Sequence, residues 1–431
     1  MSNTRAGQSG QAMAAEQPTA VDSPVAARLA ELAFRLDADR PATMGFPASH
    51  DIDWSPLAPI FSRCLLNNLG DPYIDGLYPW HVKDFEREAV DLLADLLRAP
   101  AGDRWGYVTG GATEGTLYGL WLARRLHPRG VVYHTTASHP SVAKAVDVLG
   151  MPSVVLRTDE YGELDYRDLA DQVGRLRHRP AVVVANVGTT MSESTDDVRQ
   201  ILRVLDSVPV PAVRRFVLAD AALSGIPLAL LDPTDRPGFD LHDGADAVVV
   251  SGHKFLATPM PCAAVVVKAS TVARAPTVAY TGSPDTTISS SRNGHAALAI
   301  WYALTMCGRD GLATRSRQCH ELAAYLHRRL RELGWPADRR PHTMTVTLAA
   351  PSRAVRARWR LSAIDGRSHI VCAPGVTREL LDEFLDALVD EDTASEDTGV
   401  PATGTNGKRR LLPGLMRRNA ATPAEAESLT G

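Results

Sequence analysis

The feature that most restricts the fold of this chain is an alternation of short apolar runs with helical patterns, which begins near Val131 and continues to Val267. Several runs are rich in β-branched residues and have no polar face, as is typical of strands buried on both faces of a parallel sheet. The predicted strands are 131–134, 153–156, 181–187, 216–219, 247–250 and 263–267. The predicted helices are 85–97, 114–126, 139–149 and 166–176. The pattern therefore predicts an α/β fold with a large, mostly parallel sheet.

The pattern changes after His295. Longer helices are predicted at 295–306, 312–333 and 378–389, and strands at 344–348 and 369–372. A chain of 431 residues exceeds one ordinary hydrophobic core, so we expect two packed units. The predicted segments are 1–22 and 391–431 (disordered ends), 23–84 (an N-terminal segment), 85–305 (a large domain) and 306–390 (a smaller C-terminal α+β domain).

Charge and cysteine content exclude several classes of protein. The formal net charge of −4 gives no basic face for nucleic acid, although a basic patch occurs in the C-terminal tail. The five cysteines have no metal-binding spacing, so we expect no metal and reduced thiols in the cytoplasm. No signal-like segment and no apolar run long enough for a membrane span is present, so we expect neither export nor membrane insertion.

The segment Ser251-Gly252-His253-Lys254-Phe255 directly follows the apolar run 245–250. Packing alone explains a lysine at a strand end poorly, because lysine is rarely covered without a chemical reason. Partial desolvation lowers the pKa of such an amine and makes it a usable nucleophile. Lys254 is therefore a candidate Schiff-base lysine. The competing and more common role is a solvated surface lysine.

Two further stretches suit a bound anion or ring. The Gly-rich turn at 109–116 leads into a helix, and its free backbone N–H groups would suit a phosphate, although a helix start without a ligand is equally compatible. Asp220 ends an apolar strand, where ligands gather in open α/β sheets. A helix N-cap is the alternative role for Asp220.

His139 and Thr189 also follow predicted strands. An imidazole at this position can stack on a flat ring or transfer protons, but a loop histidine is more often structural. A threonine there usually ends the strand or caps a helix. Together, a phosphate cradle, a carboxylate, a stacking ring and an amine are the parts that hold pyridoxal phosphate.

The chain resembles the pyridoxal-phosphate-dependent group II amino-acid decarboxylases, nearest the branch of bacterial histidine decarboxylases and plant serine decarboxylases. The resemblance covers roughly residues 45–390 and excludes both ends. The stretches that carry it are Gly45-Phe46-Pro47, Asn67 to Pro72, Phe85 to Glu88, Trp105 to Thr109, Thr113-Glu114-Gly115, Ser141 to Lys144, Asp220 to Gly225, Ser251 to Lys254 and Ser291 to His295.

This resemblance implies a fold of the aspartate aminotransferase type, pyridoxal-phosphate fold type I, with pyridoxal 5′-phosphate as cofactor. It implies that Lys254 forms the Schiff base, Asp220 pairs with the pyridine nitrogen and His139 stacks on the ring. The remaining implied cofactor contacts are Ala112, Thr113, Ser251 and His253 at the phosphate, and Thr189 and Ala222 along the ring. It also implies a homodimer with shared active sites, in which residues 23–84 and the Asn293 region help to complete the site.

Several positions depart from the family pattern. Leu218-Ala219-Asp220 replaces His-Ala-Asp, and His139 is followed by Pro140 where tyrosine is usual. Two departures concern the substrate: Leu65 lies in the segment expected to line the pocket, and Gly375 occupies a position that is often histidine. The cofactor residues themselves are kept.

The expected reaction is decarboxylation of an L-amino acid to its amine and CO2. L-Histidine, giving histamine, is the favoured substrate. An aliphatic or thioether amino acid (valine, leucine or methionine) and serine are the alternatives. Tyr280, in a Gly/Ser/Thr-rich loop, is the candidate donor of the proton to Cα, with ordinary loop packing as the competing role. A catalytically silent homologue with a regulatory role is the non-enzymatic alternative.

Overall fold

The structure is a computed structural model that describes residues 24–272 and 274–398. Its main sheet has seven strands in the spatial order β1-β7-β6-β5-β4-β2-β3. Their bounds are β1 Trp105–Thr109, β2 Val131–Thr135, β3 Ser153–Leu156, β4 Ala181–Asn186, β5 Arg215–Asp220, β6 Ala247–Ser251 and β7 Ala263–Val267. The predicted α/β class with a mostly parallel sheet is confirmed.

One strand runs against the others. β7 pairs antiparallel with both β6 and β1, whereas the remaining pairs are parallel. The expectation that the run 263–267 forms a parallel strand was therefore wrong. The connection from Ser251 to Ala263 holds no crossover helix, and a parallel return needs such a crossover. The sequence interpretation also missed β1.

Helices cover both faces of the sheet. The helices are α1 Pro24–Asp39, α2 Ala58–Arg63, α3 Lys83–Leu96, α4 Ala112–Leu126, α5 Pro140–Leu149, α6 Tyr166–Arg175, α7 Val198–Ser207, α8 Gly225–Ala229, α9 Gly294–Glu332, α10 Arg353–Arg358 and α11 Arg378–Thr398. Alternate residues of β4 enter opposite cores: Val183 and Ala185 pack on one face, and Val182 and Val184 on the other. Burial on both faces explains why the strands lack a polar side.

The C-terminal region has a second sheet. It contains β10 Ala337–Asp338, β11 Thr345–Ala349 and β12 Arg367–Val371, all antiparallel. This sheet, the later part of α9 and α11 share a core that includes Leu326, Trp359 and Phe384. Helix α9 is interrupted at Gly308, where φ is 59° and ψ is 176°. The predicted domain boundary at 305–306 falls just before this kink, and the division into domains remains a prediction.

The two predicted disordered ends lie mostly outside the described residues. Residues 1–22 and 399–431 are not described, and the basic patch of the tail falls within the second range. The predicted tail was expected to begin at 391, but helix α11 continues to Thr398. A two-stranded hairpin, β8 Thr277–Val278 and β9 Ser283–Pro284, completes the described elements.

A buried ion pair fastens the N-terminal segment to the main sheet. Glu86, on α3, is fully buried and binds the guanidinium of Arg292, the backbone N–H of Val108 at 2.8 Å and the side-chain amide of Asn68 at 2.8 Å. Arg292 also donates to the carbonyl of Gly70 at 3.1 Å. This network therefore joins α3 and β1 to the loop before α3, which holds Asn68 and Gly70, and to the loop before α9, which holds Arg292.

Removing one partner should be costly because it leaves the other charge buried and unpaired. We expect Arg292→Leu to lower the free energy of unfolding by about 3–5 kcal/mol. Arg367→Leu is the matched control, since the pair of Arg367 with Asp338 is half exposed on both sides and should contribute less than about 1 kcal/mol. Urea unfolding of both variants measures the difference. Equal losses would contradict a structural role for the buried pair.

Candidate active site

The candidate site lies where strands β4, β5 and β6 end. Asp220 is opposite Asn186 on one side and Val249 on the other. Beyond the strands, the backbone N–H of Ser251 donates to the carbonyl of Ala222 at 3.1 Å. Because the carboxyl ends of parallel strands meet at one sheet edge, the segment after Asp220 lies beside the segment that leads to Lys254.

Lys254 is half-buried, and its amine makes no hydrogen bond with the part of the chain that the structure describes. Burial lowers the pKa of Lys254, while the carboxylates of Asp220 and Glu193 raise it. The amine is therefore partly desolvated and faces negative charge. These are the conditions under which a lysine can act as a nucleophile near neutral pH.

A second buried lysine, Lys83, was not singled out from the sequence. It is fully buried at the start of α3, and burial and the charge of Arg292 lower its pKa to about 8. Its amine donates to the carbonyl of Ile74 at 2.5 Å and lies 3.4 Å from that of Asp75. The amine of Lys83 is therefore bound by backbone carbonyl groups of the N-terminal segment, whereas no such hydrogen bond holds the amine of Lys254 among the described residues.

His139 directly precedes α5 and caps it. Its Nδ1 accepts the backbone N–H of Ser141 at 3.2 Å and lies 2.8 Å from the hydroxyl of Ser141. Burial lowers the pKa of His139, the charge of Asp220 raises it and that of Lys254 lowers it. The ring thus has the structural role that was the competing hypothesis, and it also lies within electrostatic reach of Asp220 and Lys254.

The start of α4 and Ser251 are the groups predicted to bind the phosphate of pyridoxal phosphate, and their surroundings show whether such a group would fit. Helix α4 begins after Gly111 with no side-chain cap, and a Cβ added at Gly111 would meet no atom within 4 Å. The hydroxyl of Ser251 is buried and has no hydrogen-bond partner among the residues that the structure describes. Free N–H groups at a helix start, open space and an unpaired hydroxyl fit a phosphate group.

The remaining predicted cofactor residues have defined contacts. His253 Nδ1 lies 3.1 Å from the carbonyl and 3.3 Å from the backbone nitrogen of Cys262. Nε2 of His253 takes no part in these contacts with Cys262. The Thr189 hydroxyl accepts the N–H of Ser194 at 3.0 Å. Ala112 and Thr113 form the first turn of α4, and Ala222 is half-buried. Thr189, Ala222 and His253 thus follow the carboxyl ends of β4, β5 and β6, and Ala112 and Thr113 begin α4.

Tyr280 lies apart from this cluster in the described chain. It occupies the turn between β8 and β9 and is 67% exposed. The turn packs on the N-terminal segment through the Leu77 N–H, which donates to the carbonyl of Thr281 at 2.9 Å. Among the described residues no hydrogen bond or ring contact joins Tyr280 to Lys254.

The departures from the family pattern have separate explanations. Leu218 is fully buried and packs against α4, so it belongs to the core. Leu65 is 71% exposed. Gly375 has a φ of +101°, and a Cβ there would lie 2.7 Å from the ring of His50. The His50 ring thus occupies the space that a side chain at position 375 would take.

Two buried carboxylates near the site were also missed from the sequence. Asp196 accepts the backbone N–H and the side-chain amide of Asn186 at 2.7 and 2.9 Å, and burial raises its pKa to about 7. Glu193 is 2% exposed, and burial raises its pKa. Both lie in the loop after β4, so their place beyond a strand end was a signal that could have identified them.

Among the described residues, no helix is long and apolar enough to cross a membrane. The same part of the chain contains no group of three or more His, Cys, Asp or Glu side chains that could hold a metal ion.

The sheet and the cluster at its edge define an enzyme of pyridoxal-phosphate fold type I. Residues 76–335 match the family model described as the pyridoxal-dependent decarboxylase conserved domain. A histidine decarboxylase of Mesorhizobium japonicum is 41% identical over 362 residues, which is 84% of this chain and 96% of that protein. This chain therefore belongs to the pyridoxal-dependent decarboxylase family.

Other relatives agree with this assignment. Serine decarboxylase 2 of Oryza sativa is 35% identical over 81% of this chain and 74% of that protein. The crystal structure of L-methionine decarboxylase from Streptomyces sp. 590 matches with a TM-score of 0.79 at 26% identity, and covers 86% of this chain and 96% of that one. The predicted family, the cofactor pyridoxal 5′-phosphate and the activity of an amino-acid carboxy-lyase are thus confirmed.

Proposed function

We propose that the substrate is L-histidine and the products are histamine and CO2. The observation that carries this proposal is the 41% identity to a histidine decarboxylase over nearly the whole of that protein. The proposal extends the amino-acid decarboxylase activity to one side chain. It also assigns the reaction to Lys254, Asp220 and His139.

Each of these residues has a distinct task in the proposed mechanism. Pyridoxal phosphate, when bound, supplies the electron sink that accepts the pair left on Cα after CO2 departs. Lys254 would provide the amine that holds the cofactor and exchanges with the substrate amino group. Asp220 would keep a negative charge near the pyridine nitrogen, and the ring of His139 would pack on the cofactor. The start of α4, Ser251 and His253 would hold the phosphate.

Orientation selects the reaction. A bond to Cα breaks fastest when it stands perpendicular to the cofactor ring, because the released electrons then enter the π system directly. A decarboxylase would therefore have to hold the substrate so that the bond to the carboxylate is the one that breaks, whereas an arginine that binds the carboxylate in another orientation would favour loss of the Cα proton.

Substrate profiling tests the side-chain assignment. If the pocket hydrogen-bonds the imidazole, we expect the kcat/KM for L-histidine to exceed that for L-methionine by about 10⁴-fold, because unpaired buried polar groups penalise the wrong substrate. Incubation with each of the twenty amino acids and detection of the amine measures this ratio. A higher kcat/KM for another amino acid would refute histidine as the substrate.

An aliphatic or thioether amino acid is the second candidate. The exposed Leu65, with the neighbouring Leu66, offers apolar surface in the segment proposed to line the pocket, and the Streptomyces structure is that of a methionine decarboxylase. An apolar pocket separates side chains that differ by one methylene only about 10–200-fold. A shallow preference across leucine, valine and methionine would support this candidate, and activity on serine alone would support neither.

We infer that the enzyme is a homodimer whose active sites take residues from both chains. Helix α1 has no buried residue and exposes Leu29 and Phe34, and Trp80 and Tyr280 are also more than 60% exposed. Exposed apolar surface of this extent is typical of an interface. A cytoplasmic location is proposed as well, which the five unpaired cysteines support.

Tyr280 is proposed to donate the proton to Cα in the site of the partner subunit. We expect Tyr280→Phe to lower amine formation by about 10²-fold, the lower range for loss of a general acid, while the cofactor stays bound. Mixing Tyr280→Phe chains with Lys254→Ala chains should restore roughly a quarter of the wild-type activity, since half of the dimers then contain one intact site. Unchanged turnover in Tyr280→Phe would rule out the proton-donor role, and no recovery on mixing would contradict its action across the interface.

A further inference from the structure

Glu193 combines two unfavourable features that call for an explanation. Its φ is +56°, in the left-handed region that residues other than glycine rarely adopt. Its side chain is 2% exposed, so a carboxylate is carried into the interior. Strained backbone and buried charge both cost free energy, and they persist where the surrounding structure holds them in place, most often at functional sites.

The contacts of Glu193 join two parts of the molecule. One carboxylate oxygen accepts the hydroxyl of Ser224 at 2.8 Å, and the other accepts the backbone N–H of Met344 at 3.0 Å. Ser224 lies on the segment that runs from Asp220 into α8, and Met344 directly precedes β11. The carboxylate therefore links the edge of the main sheet to the C-terminal sheet.

The neighbourhood is shaped around this side chain. Gly188 has a φ of +99°, and a Cβ there would lie 2.2 Å from the Ser224 hydroxyl and 3.5 Å from Glu193 Cγ. Gly188 directly precedes Thr189, which is predicted to line the cofactor ring. Only glycine at this position leaves room for Ser224 and Glu193 to meet.

The charges around Lys254 and Glu193 come from several elements. The titratable groups that face Lys254 are Asp220 at the end of β5, Glu193 in the loop after β4, His139 before α5 and its neighbour His253. Those near Glu193, besides Lys254, are Arg339 after β10, Cys319 on α9 and Cys372 after β12, together with Asp235, Arg340 and His342, which line the same small cavity. Glu193 is thus the second carboxylate, after Asp220, whose charge reaches the lysine.

We propose that Glu193 is a positioning residue for Lys254: it fixes the loop that carries Thr189 to the C-terminal sheet, and its carboxylate adds to the negative charge that Asp220 places near the lysine. This inference rests on the proposed role of Lys254 as the cofactor lysine. It goes beyond that role because two carboxylates, Asp220 and Glu193, and not Asp220 alone, would then favour the protonated form of the lysine nitrogen.

The charge can be tested in the cofactor-bound enzyme without measuring turnover. The visible absorbance of the bound cofactor reports the proton on the Lys254 nitrogen, and a negative charge nearby favours the protonated form. We expect Glu193→Gln to move the midpoint of the absorbance titration to lower pH by about one unit. Asp235→Asn is the matched control, because Asp235 lines the same small cavity as Glu193 but is exposed, and it should leave the midpoint in place.

Glu193→Gly is a second variant that keeps the proposal testable if Glu193→Gln fails to fold. Glycine adopts a positive φ without strain, so this variant removes the carboxylate and relieves the backbone together. The same downward shift in Glu193→Gly supports the proposal. Midpoints that coincide with the wild type in both variants would overturn it. Borohydride fixation of the cofactor to a residue other than Lys254 in the wild type would instead contradict the proposed site, so the two failures are distinguishable.

Discussion

Lys254→Ala is expected to abolish amine formation, with a loss of about 10⁵-fold, the scale seen when a covalent catalytic group is removed. The variant lacks the amine that is proposed to hold the cofactor and to exchange with the substrate. Its pocket keeps the start of α4, Ser251 and His253, so pyridoxal phosphate should still bind, but without a covalent bond. Dialysis should therefore remove the cofactor from the variant but not from the wild type. An absorbance spectrum recorded afterwards measures how much cofactor each protein retains.

Lys144→Ala is the control for this experiment. Lys144 is exposed on α5, and its replacement should leave covalent cofactor binding intact. Cofactor that survives borohydride treatment and denaturation in Lys254→Ala would show that another lysine carries it. Lys83 would then be the first candidate, because it is the other buried lysine of the described chain.

Asp220→Asn is expected to lower kcat by about 10³-fold, because a charge held against the site of developing charge in a low-dielectric pocket is worth several kcal/mol. Asparagine keeps the shape of the side chain and removes its charge, so the pyridine nitrogen would lose the partner that is proposed to keep it protonated. The cofactor should remain attached to Lys254. Single-turnover measurements of CO2 release separate this chemical defect from weaker substrate binding.

Asp232→Asn removes an exposed carboxylate from the loop after α8 and should leave kcat unchanged. A normal rate in Asp220→Asn would refute the pairing of Asp220 with the cofactor ring. A rise in KM with an unchanged kcat would assign Asp220 to substrate binding instead.

The sequence was sufficient for much of the fold because its strands are buried on both faces. Runs such as 181–187, which is apolar apart from Asn186, and 216–219 show this character, and the structure places β4 and β5 within one residue of them. Direction was harder to predict. β7 has the composition of a parallel strand, and only the connection after Ser251 turns it antiparallel.

The candidate site was predictable where its residues follow strands. Lys254, Asp220, His139 and Thr189 each come just after an apolar run, and the parallel strands bring these ends to one edge. Glu193 also follows a strand and could have been singled out on that ground, but its backbone conformation and its contact with Met344 depend on long-range packing and were not predictable. Lys83 was missed because the first residue of an amphipathic helix is ordinarily exposed.

The proposed role of Tyr280 could not be derived from a single chain. Its loop composition suggested a segment that closes over the site, yet the tyrosine is largely exposed and lies against the N-terminal segment. The sequence and structure of one chain do not indicate which site a residue enters in a partner subunit. In the single chain, such a residue is seen only as an exposed aromatic side chain. Its proposed role therefore depends on the mixing experiment.

The central claim is that Lys254 carries pyridoxal phosphate, and peptide mapping after borohydride reduction tests it most directly. The chain has only five lysines, Lys83, Lys144, Lys254, Lys268 and Lys408, so the modified residue can be assigned without ambiguity. We expect the mass of the reduced cofactor on the peptide that contains Lys254, and on no other peptide. Cofactor mass on any of the other four lysines, or on none, would contradict it.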